Sequence, residues 1–340
     1  MNKYVQIVGA VPKPIGGVST YVYRLSHMLH DVEHEIVDLY FSGDKLPVPS
    51  GYQCCQSSGF INRLRFLWKS LRVDKDATIF FNFSSSKSLL LFLFILKGKS
   101  NWVIMLHNGD LNLPSGNLSI VKFIYKFAIS RFDKIFYISS SQKRFYMFDL
   151  DCSDDRLIYM SSYIPASYMP EMSVKNASKL LPEHSEYILA NGYFKSIYNF
   201  EFLLRFAKDN PERKIIIVVY GEPDREYEER IRHEAESIDN VVFMSEVEPQ
   251  FFLELLRGCS VYARPNHVDS FGIGVADALS LGIPTVASTV CERTQGALLF
   301  DSNDYSGFNE AMKLSLQTKV TKSSQTNFDF KNDYKKLLGF

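Results

Sequence analysis

At 340 residues the chain is long for one hydrophobic core, so two domains are expected. Its 46% apolar and 14% aromatic content excludes wholesale disorder, and its net charge of zero argues against a general nucleic-acid binder. The zero joins two unequal halves: residues 1–163 carry 19 Lys and Arg against 13 Asp and Glu (+6), and residues 164–340 carry 19 against 25 (−6). That split is either chance or a basic first half suited to anionic lipid or an anionic substrate.

In chain order, the first half alternates apolar runs with amphipathic ones. Strands are expected at Tyr4–Val8, Glu35–Tyr40, Thr78–Phe83, Trp102–Leu106, Lys134–Ile138 and Leu157–Met160, with helices at 17–30, 60–73, 86–97, 119–131 and 140–148. This is the pattern of βαβ units on a parallel sheet. Prolines 165, 170 and 182 then interrupt it and mark a boundary near 162–182. The alternation restarts with strands at Tyr187–Ala190, Lys214–Tyr220, Asn240–Met244, 260–263, 285–289 and 297–300, and helices at 198–209, 224–237, 249–257, 272–281 and 304–317. The opening MNKYVQIVGA runs directly into a strand and reads as no signal peptide. The longest apolar run, Leu89–Leu96, is eight residues against the ~20 of a membrane span, and is expected to be a buried helix. The five cysteines (54, 55, 152, 259 and 291) lack zinc-ligand spacing and read as reduced thiols of a cytoplasmic protein.

In open parallel sheets ligands bind at the carboxyl ends of strands, and the chemistry-bearing residues cluster there. After the first strand, "VPKPIGGVST" places Gly16 and Gly17 at a helix start, either a plain βα turn or an anion-binding one. "VIMLHNGDL" delivers His107 from a strand end, as a structural residue or a site residue. "ILANGYFKSIY" carries Lys195, a solvated lysine or a phosphate partner. "RPNHVDSFGIGVADALSLGIP" holds Asp269, Phe271, Gly272 and Asp277 around a helix start, either a capped helix with one exposed acid or a nest for anions and hydroxyls. In "FINRLRFLWKSLRVDK" (60–75), apolar residues at helical spacing interleave with Arg63, Arg65, Lys69, Arg72 and Lys75. It is an ordinary helix with a basic outer face or a membrane-surface helix. "DLD" at 149–151 has the DxD form of metal-dependent sugar transferases, but it ends a helical stretch and reads as surface acids.

"DSFGIGVADALSLGIPTVAST" resembles the donor-site segment of glycosyltransferase family 4: an acid, Phe-Gly, a second acid after seven intervening residues, then Gly-x-Pro-x-Val-Ala-Ser. Gly16-Gly17 and the strand-terminal His107 fit the same family, and the flanking "RPN" and "CERTQGALLF" resemble a subgroup common in bacterial polysaccharide assembly. The resemblance spans nearly the whole chain. It implies the GT-B fold, an α/β architecture of two Rossmann-like parallel-sheet domains on either side of a cleft. The domains would be 1–163, binding the acceptor, and 164–325, binding a nucleotide sugar, with a C-terminal helix at 326–340 packing back on the first. It also implies roles. Asp277 would hold the ribose, Asp269 with Phe271–Gly272 the donor sugar, Gly16 and Gly17 the diphosphate or acceptor, and His107 the transferring sugar.

The chain departs from the pattern in two ways. Both acids are Asp where the family has Glu, and Tyr193 and Tyr198 stand where the family carries an Arg and a Lys against the diphosphate. Lys195, Arg264 and Arg293 are the cations left to take that part. The activity implied is a retaining, metal-independent transfer of a hexose from a UDP-type donor to a lipid-linked surface polysaccharide such as O-antigen or capsule. No cofactor or metal is expected, and the location would be cytoplasmic with peripheral contact at the inner membrane face through 60–75. Two alternatives stay open: an inactive GT-B protein that binds a nucleotide sugar or a partner transferase, and a GT-B epimerase or phosphorylase.

Overall fold

The computed structural model describes residues 4–13, 15–40, 45–108, 111–113, 118–169, 186–245, 247–317 and 330–339. The chain divides into two compact units, Met1–Met169 with Asn327–Phe340, and Pro170–Thr326.

The first unit holds β1 (Tyr4–Gly9), β2 (His34–Asp38), β3 (Gly51–Cys54), β4 (Ala77–Phe83), β5 (Asn101–Leu106), β6 (Lys134–Tyr137) and β7 (Leu157–Tyr159). All pair parallel, in the order β3-β2-β1-β4-β5-β6-β7. The central strand β4, "ATIFFNF", is buried at every residue. Helices cover both of its faces, so the strand is apolar throughout rather than alternating. On one face Phe81, Phe92, Trp102 and Phe132 interlock edge-to-face, with Phe92 and Phe132 centroids 4.7 Å apart. The helices are α1 (Gly17–Met28), α2 (Phe60–Ser70), α3 (Leu118–Ile129) and α4 (Ser140–Arg144).

Three elements differ from the sequence reading. The expected helix 86–97 is a 3-10 helix over Ser86–Leu93. Its buried residues Ser86, Leu89 and Phe92 recur every third position, which is the 3-10 period. The expected helix 140–148 is α4 followed by a π-helical turn, Phe145–Asp149. Strand β3 was not expected: "GYQC" is an edge strand exposed along most of its length, with no apolar run to announce it.

The second unit holds β8 (Tyr187–Gly192), α5 (Phe200–Asp209), β9 (Lys214–Val219), α6 (Arg225–Ala235), β10 (Val241–Ser245), α7 (Pro249–Gly258), β11 (Val261–Arg264), α8 (Ile273–Ser280), β12 (Thr285–Ser288), β13 (Leu298–Phe300) and α9 (Tyr305–Gln317). Its parallel sheet runs β10-β9-β8-β11-β12-β13. A further helix, α10 (Phe330–Leu338), belongs to the first unit.

Strand order fixes where a ligand can enter each unit. In the second, the chain proceeds outward from β8 through β9 to β10, then restarts at β11 on β8's other side. In the first, it goes from β1 to β2 and β3, then restarts at β4. The crevices at the carboxyl ends of β8/β11 and of β1/β4 are the topological switch points where doubly wound sheets bind ligands.

Candidate functional site

The β8/β11 crevice gathers most of the residues singled out above. Arg264 is the last residue of β11. Its Nε and Nη2 reach Asp269 Oδ2 and Oδ1 at 2.9 and 3.3 Å, a two-pronged pairing. From the other side Arg293 Nη1 reaches Asp269 Oδ2 at 2.8 Å and the Phe271 carbonyl at 3.3 Å. Arg293 is itself fixed by its Nε, which donates to the Ser288 carbonyl at 2.9 Å. The three side chains are 12% (Arg264), 9% (Asp269) and 1% (Arg293) exposed, so the triad is desolvated. Burial pushes the Asp269 carboxyl up, but Arg264 and Arg293 outweigh it and hold the group well below the usual carboxylate range. One carboxylate against two guanidiniums leaves one positive charge at the crevice.

Helix α8 starts beside this triad. Its cap, Gly272, has φ +81, a conformation that side chains disfavour. A Cβ there would stand 2.5 Å from Arg293 Nη1 and 3.3 Å from Asp269 Oδ2. Glycine at 272 is therefore required both by the backbone and by the ion triad. Asp277 lies in the second turn of α8 and is buried.

Tyr198 packs on Arg264, with Tyr193 beside it. The Arg264 guanidinium carbon lies 5.5 Å from the Tyr198 ring centroid, and the Tyr193 and Tyr198 rings are 5.6 Å apart. Burial pushes the Tyr198 hydroxyl up to about 12, so it stays a neutral donor. Lys195 is exposed, with its ammonium 5.5 Å from the Tyr193 ring centroid. Arg264, Arg293, Phe271, Gly272 and Asp269 are thus one cluster, Lys195 is at its rim, and Asp277 is in the adjoining helix. The sequence reading missed Asn191, whose carbonyl oxygen accepts from Arg264 Nη1 at 3.1 Å and whose side chain accepts from the Tyr262 hydroxyl. A lone amide ending the apolar strand "YILANG" was the available signal.

The β1/β4 crevice of the first unit gathers Gly16, Gly17 and His107. Gly16 caps α1 in an extended conformation, its N–H donating to Ser19 Oγ at 2.9 Å. A Cβ on Gly17 would meet nothing within 4 Å, so the space before the first turn of α1 is open. Asp38, at the end of β2, fastens the preceding loop by accepting from Val11 N at 3.1 Å and from Lys45 Nζ at 2.9 Å.

His107 follows β5 and is buried, and burial lowers its pKa to about 3. It is therefore neutral, and its tautomer is fixed by a neighbour. Asn82 Nδ2 donates to the Phe80 carbonyl at 3.1 Å, leaving Asn82 Oδ1 to accept from His107 Nε2 at 3.1 Å. The proton is on Nε2, and Nδ1 carries the lone pair. Tyr21 of α1 sits edge-on to the imidazole, with centroids 4.4 Å apart. Its hydroxyl lies 2.5 Å from that of Tyr334 in α10, which in turn donates to the Ser161 carbonyl at 3.1 Å. Asn82 and Tyr21 were not foreseen, although Asn82 interrupts the apolar "ATIFFNF".

Asp149 and Asp151 of the DxD motif pair with Lys122 (3.5 Å) and Lys126 of α3 at the surface. Among the described residues no group of three or more His, Cys, Asp or Glu could hold a metal.

Residues 173–322 match the family model described as "Glycosyl transferases group 1". Over that stretch the second unit is similar to group 1 glycosyltransferases. The β8/β11 crevice, with its triad and the cap of α8, lies wholly inside the matched stretch. No curated protein matches the chain by sequence. Solved structures resemble it over nearly their full length. Sucrose-phosphate synthase from Thermosynechococcus elongatus is 15% identical with a TM-score of 0.69, over 93% of this chain and 90% of that one. HepE from Anabaena, in complex with UDP and glucose, is 12% identical with a TM-score of 0.67, over 93% and 89%. The UDP-forming α,α-trehalose-phosphate synthase from Burkholderia xenovorans is 11% identical with a TM-score of 0.67, over 99% and 96%. At these identities the likeness establishes the fold: two parallel-sheet α/β units of seven and six strands, as in GT-B glycosyltransferases.

Proposed function

We propose that the chain is a retaining, metal-independent glycosyltransferase that moves a hexose from a nucleotide sugar, UDP-linked, to a growing lipid-linked surface polysaccharide of O-antigen or capsule type. The observation that carries this reading is the positive Arg264–Asp269–Arg293 triad at the switch point of the group 1 domain, beside the N-terminus of α8. Transfer requires charge to build on the departing diphosphate. Fixed donors already aimed there need no reorganisation as the bond breaks. Arg264, 12% exposed and packed against the Tyr198 ring, is the cation nearest that task, and the exposed Lys195 at the rim adds a second. In this reading Asp277 holds the ribose, Phe271 and Gly272 present backbone groups to the sugar, and Arg293 holds Asp269 in place. In the first unit, Gly17 leaves room for a ligand at the start of α1, and the lone pair on His107 Nδ1 accepts from a sugar hydroxyl. The resembled family's front-face mechanism needs no protein nucleophile. HepE binds UDP and glucose, which favours UDP as the nucleotide here.

The deciding experiment is a thermal-shift screen over nucleotide sugars followed by a transfer assay with the donors that bind. A ligand at 100 times its Kd adds about 2.7 kcal/mol of stability. A panel in which no nucleotide sugar raises Tm would sink the proposal. A second reading, a nucleotide-sugar-binding subunit without turnover, draws on the replacement of the family's two cations by Tyr193 and Tyr198. Binding without transfer or donor hydrolysis across the panel would favour it.

A further inference from the structure

In the first unit α2, the 3-10 helix and α3 lie on one face of the seven-stranded sheet, because Leu67, Leu89, Phe92, Tyr125 and Ala128 join one core with Phe81, Trp102 and Ile104. Their outward sides therefore point the same way, and those sides expose large apolar side chains. On α2, Ile61 and Trp68 are 63% and 65% exposed. Just past the 3-10 helix, Phe94 and Leu96 are 59% and 73% exposed, and Phe94 meets the exposed Phe60 ring at 6.1 Å. On α3 a stripe at positions 120, 123 and 127 is exposed, led by Phe123 at 72%. Burying such side chains is worth about 1.5–3 kcal/mol each, so leaving them in water is costly unless something covers them.

The charge carried by these three elements has one sign. The segments 60–73, 86–99 and 118–131 carry ten Lys and Arg and not a single Asp or Glu. Acids from neighbouring segments pair with three of the ten, Lys97, Lys122 and Lys126. Arg65, Lys69 and Lys99 make no ion pair with any described residue. Exposed aromatic and aliphatic side chains on elements with an excess of cations match an anionic bilayer: the rings enter the headgroup boundary and the cations meet phosphates. The same face of a second copy would bring like charge against like charge.

We propose that this three-element face seats the first unit on an anionic phospholipid surface. It extends the basic segment 60–75, legible in the sequence, to Phe94, Leu96 and the outer stripe of α3, which periodicity alone did not reveal. The inference is independent of which sugar is transferred.

The test uses the full chain and flotation with phosphatidylglycerol-rich vesicles against phosphatidylcholine vesicles. Binding is expected on the anionic vesicles, weakening with added salt, and falling about tenfold or more in Trp68→Glu and in Phe123→Glu. Arg65→Glu with Lys69→Glu should lower binding to anionic vesicles only. Nucleotide-sugar thermal shifts should be unchanged in all variants, which separates this proposal from the donor-site reading. Wild-type chain that stays off anionic vesicles at low salt, or Phe123→Glu protein that binds as wild type does, would overturn it. So would a lipid-free dimer that Phe123→Glu converts to monomer.

Discussion

Replacing Asp269 by Asn keeps the shape and removes the charge that two buried guanidiniums share. In wild type that carboxylate takes bonds from Arg264 at 2.9 and 3.3 Å and from Arg293 at 2.8 Å. An exposed pair such as Lys208–Glu234, whose side chains are 44% and 33% accessible, contributes at most about 1 kcal/mol. The triad is different because Arg293 is 1% accessible and has no water to fall back on. Removing one partner of a buried pair costs about 3–5 kcal/mol, since the charge left behind stays desolvated. In a unit of this size 1 kcal/mol moves Tm by about 2–4 °C, so Asp269→Asn should lower the melting of the second unit by roughly 6–20 °C. Thermal unfolding followed by circular dichroism, with and without a UDP donor, measures both the fold and the site. A variant that melts within about 1 kcal/mol of wild type yet no longer binds donor would refute the structural role assigned to Asp269 and restore it as a sugar ligand.

Two glycines should behave oppositely. Gly272→Ala forces a side chain into φ +81 and against Arg293, so a loss of about 2–4 kcal/mol is expected in chemical denaturation. Gly17→Ala enters open space at the first helical position, so stability should hold or rise by about 0.5–1 kcal/mol. A fall in ligand binding by that variant then reports on the ligand, not the fold. Stability should fall on acidification in two windows. His107, neutral when folded with a pKa near 3, loses stability from about pH 6.5 downward, at no more than about 1.4 kcal/mol per pH unit. Burial lowers the pKa of His27 and His34 as well, and they add to this window. Asp269, held low, contributes above about pH 3.9 and is lost below it. His107→Gln should flatten the first window in urea titrations at stepped pH, and an unchanged slope would deny the burial argument. Tyr334→Phe should cost about 1–3 kcal/mol in equilibrium unfolding through its two hydrogen bonds, and Tyr334→Ala about 3–5 through the cavity beside Tyr21.

The strands of both sheets were legible because buried parallel strands leave unbroken apolar runs, as in "ATIFFNF" and "KIIIVV". Strand β3 left no run because it is an exposed edge. The 3-10 geometry of 86–93 was encoded in a three-residue period that resembles a helix over so short a span. Asp269, Arg264 and Arg293 were each singled out in the sequence, but their pairing was not. Arg293 lies 24 residues from Asp269 and reaches it only once β12 and the loop after it are in place. Likewise, Tyr193 and Tyr198 read in sequence as two missing cations. Only the folded unit shows that Tyr198, with Tyr193 beside it, packs on Arg264, a cation from a different strand.

Helix α10 completes the first unit, yet in chain order it follows every element of the second. A ribosome must therefore release a whole six-stranded sheet before Tyr334 is available to close over Tyr21. Until then Tyr21, which packs edge-on to His107, lacks the hydroxyl partner that Tyr334 supplies. A stop after β13 but before residue 334 would take from the first unit both the hydroxyl that meets Tyr21 and the donor to the Ser161 carbonyl, while leaving every strand of both sheets in the chain.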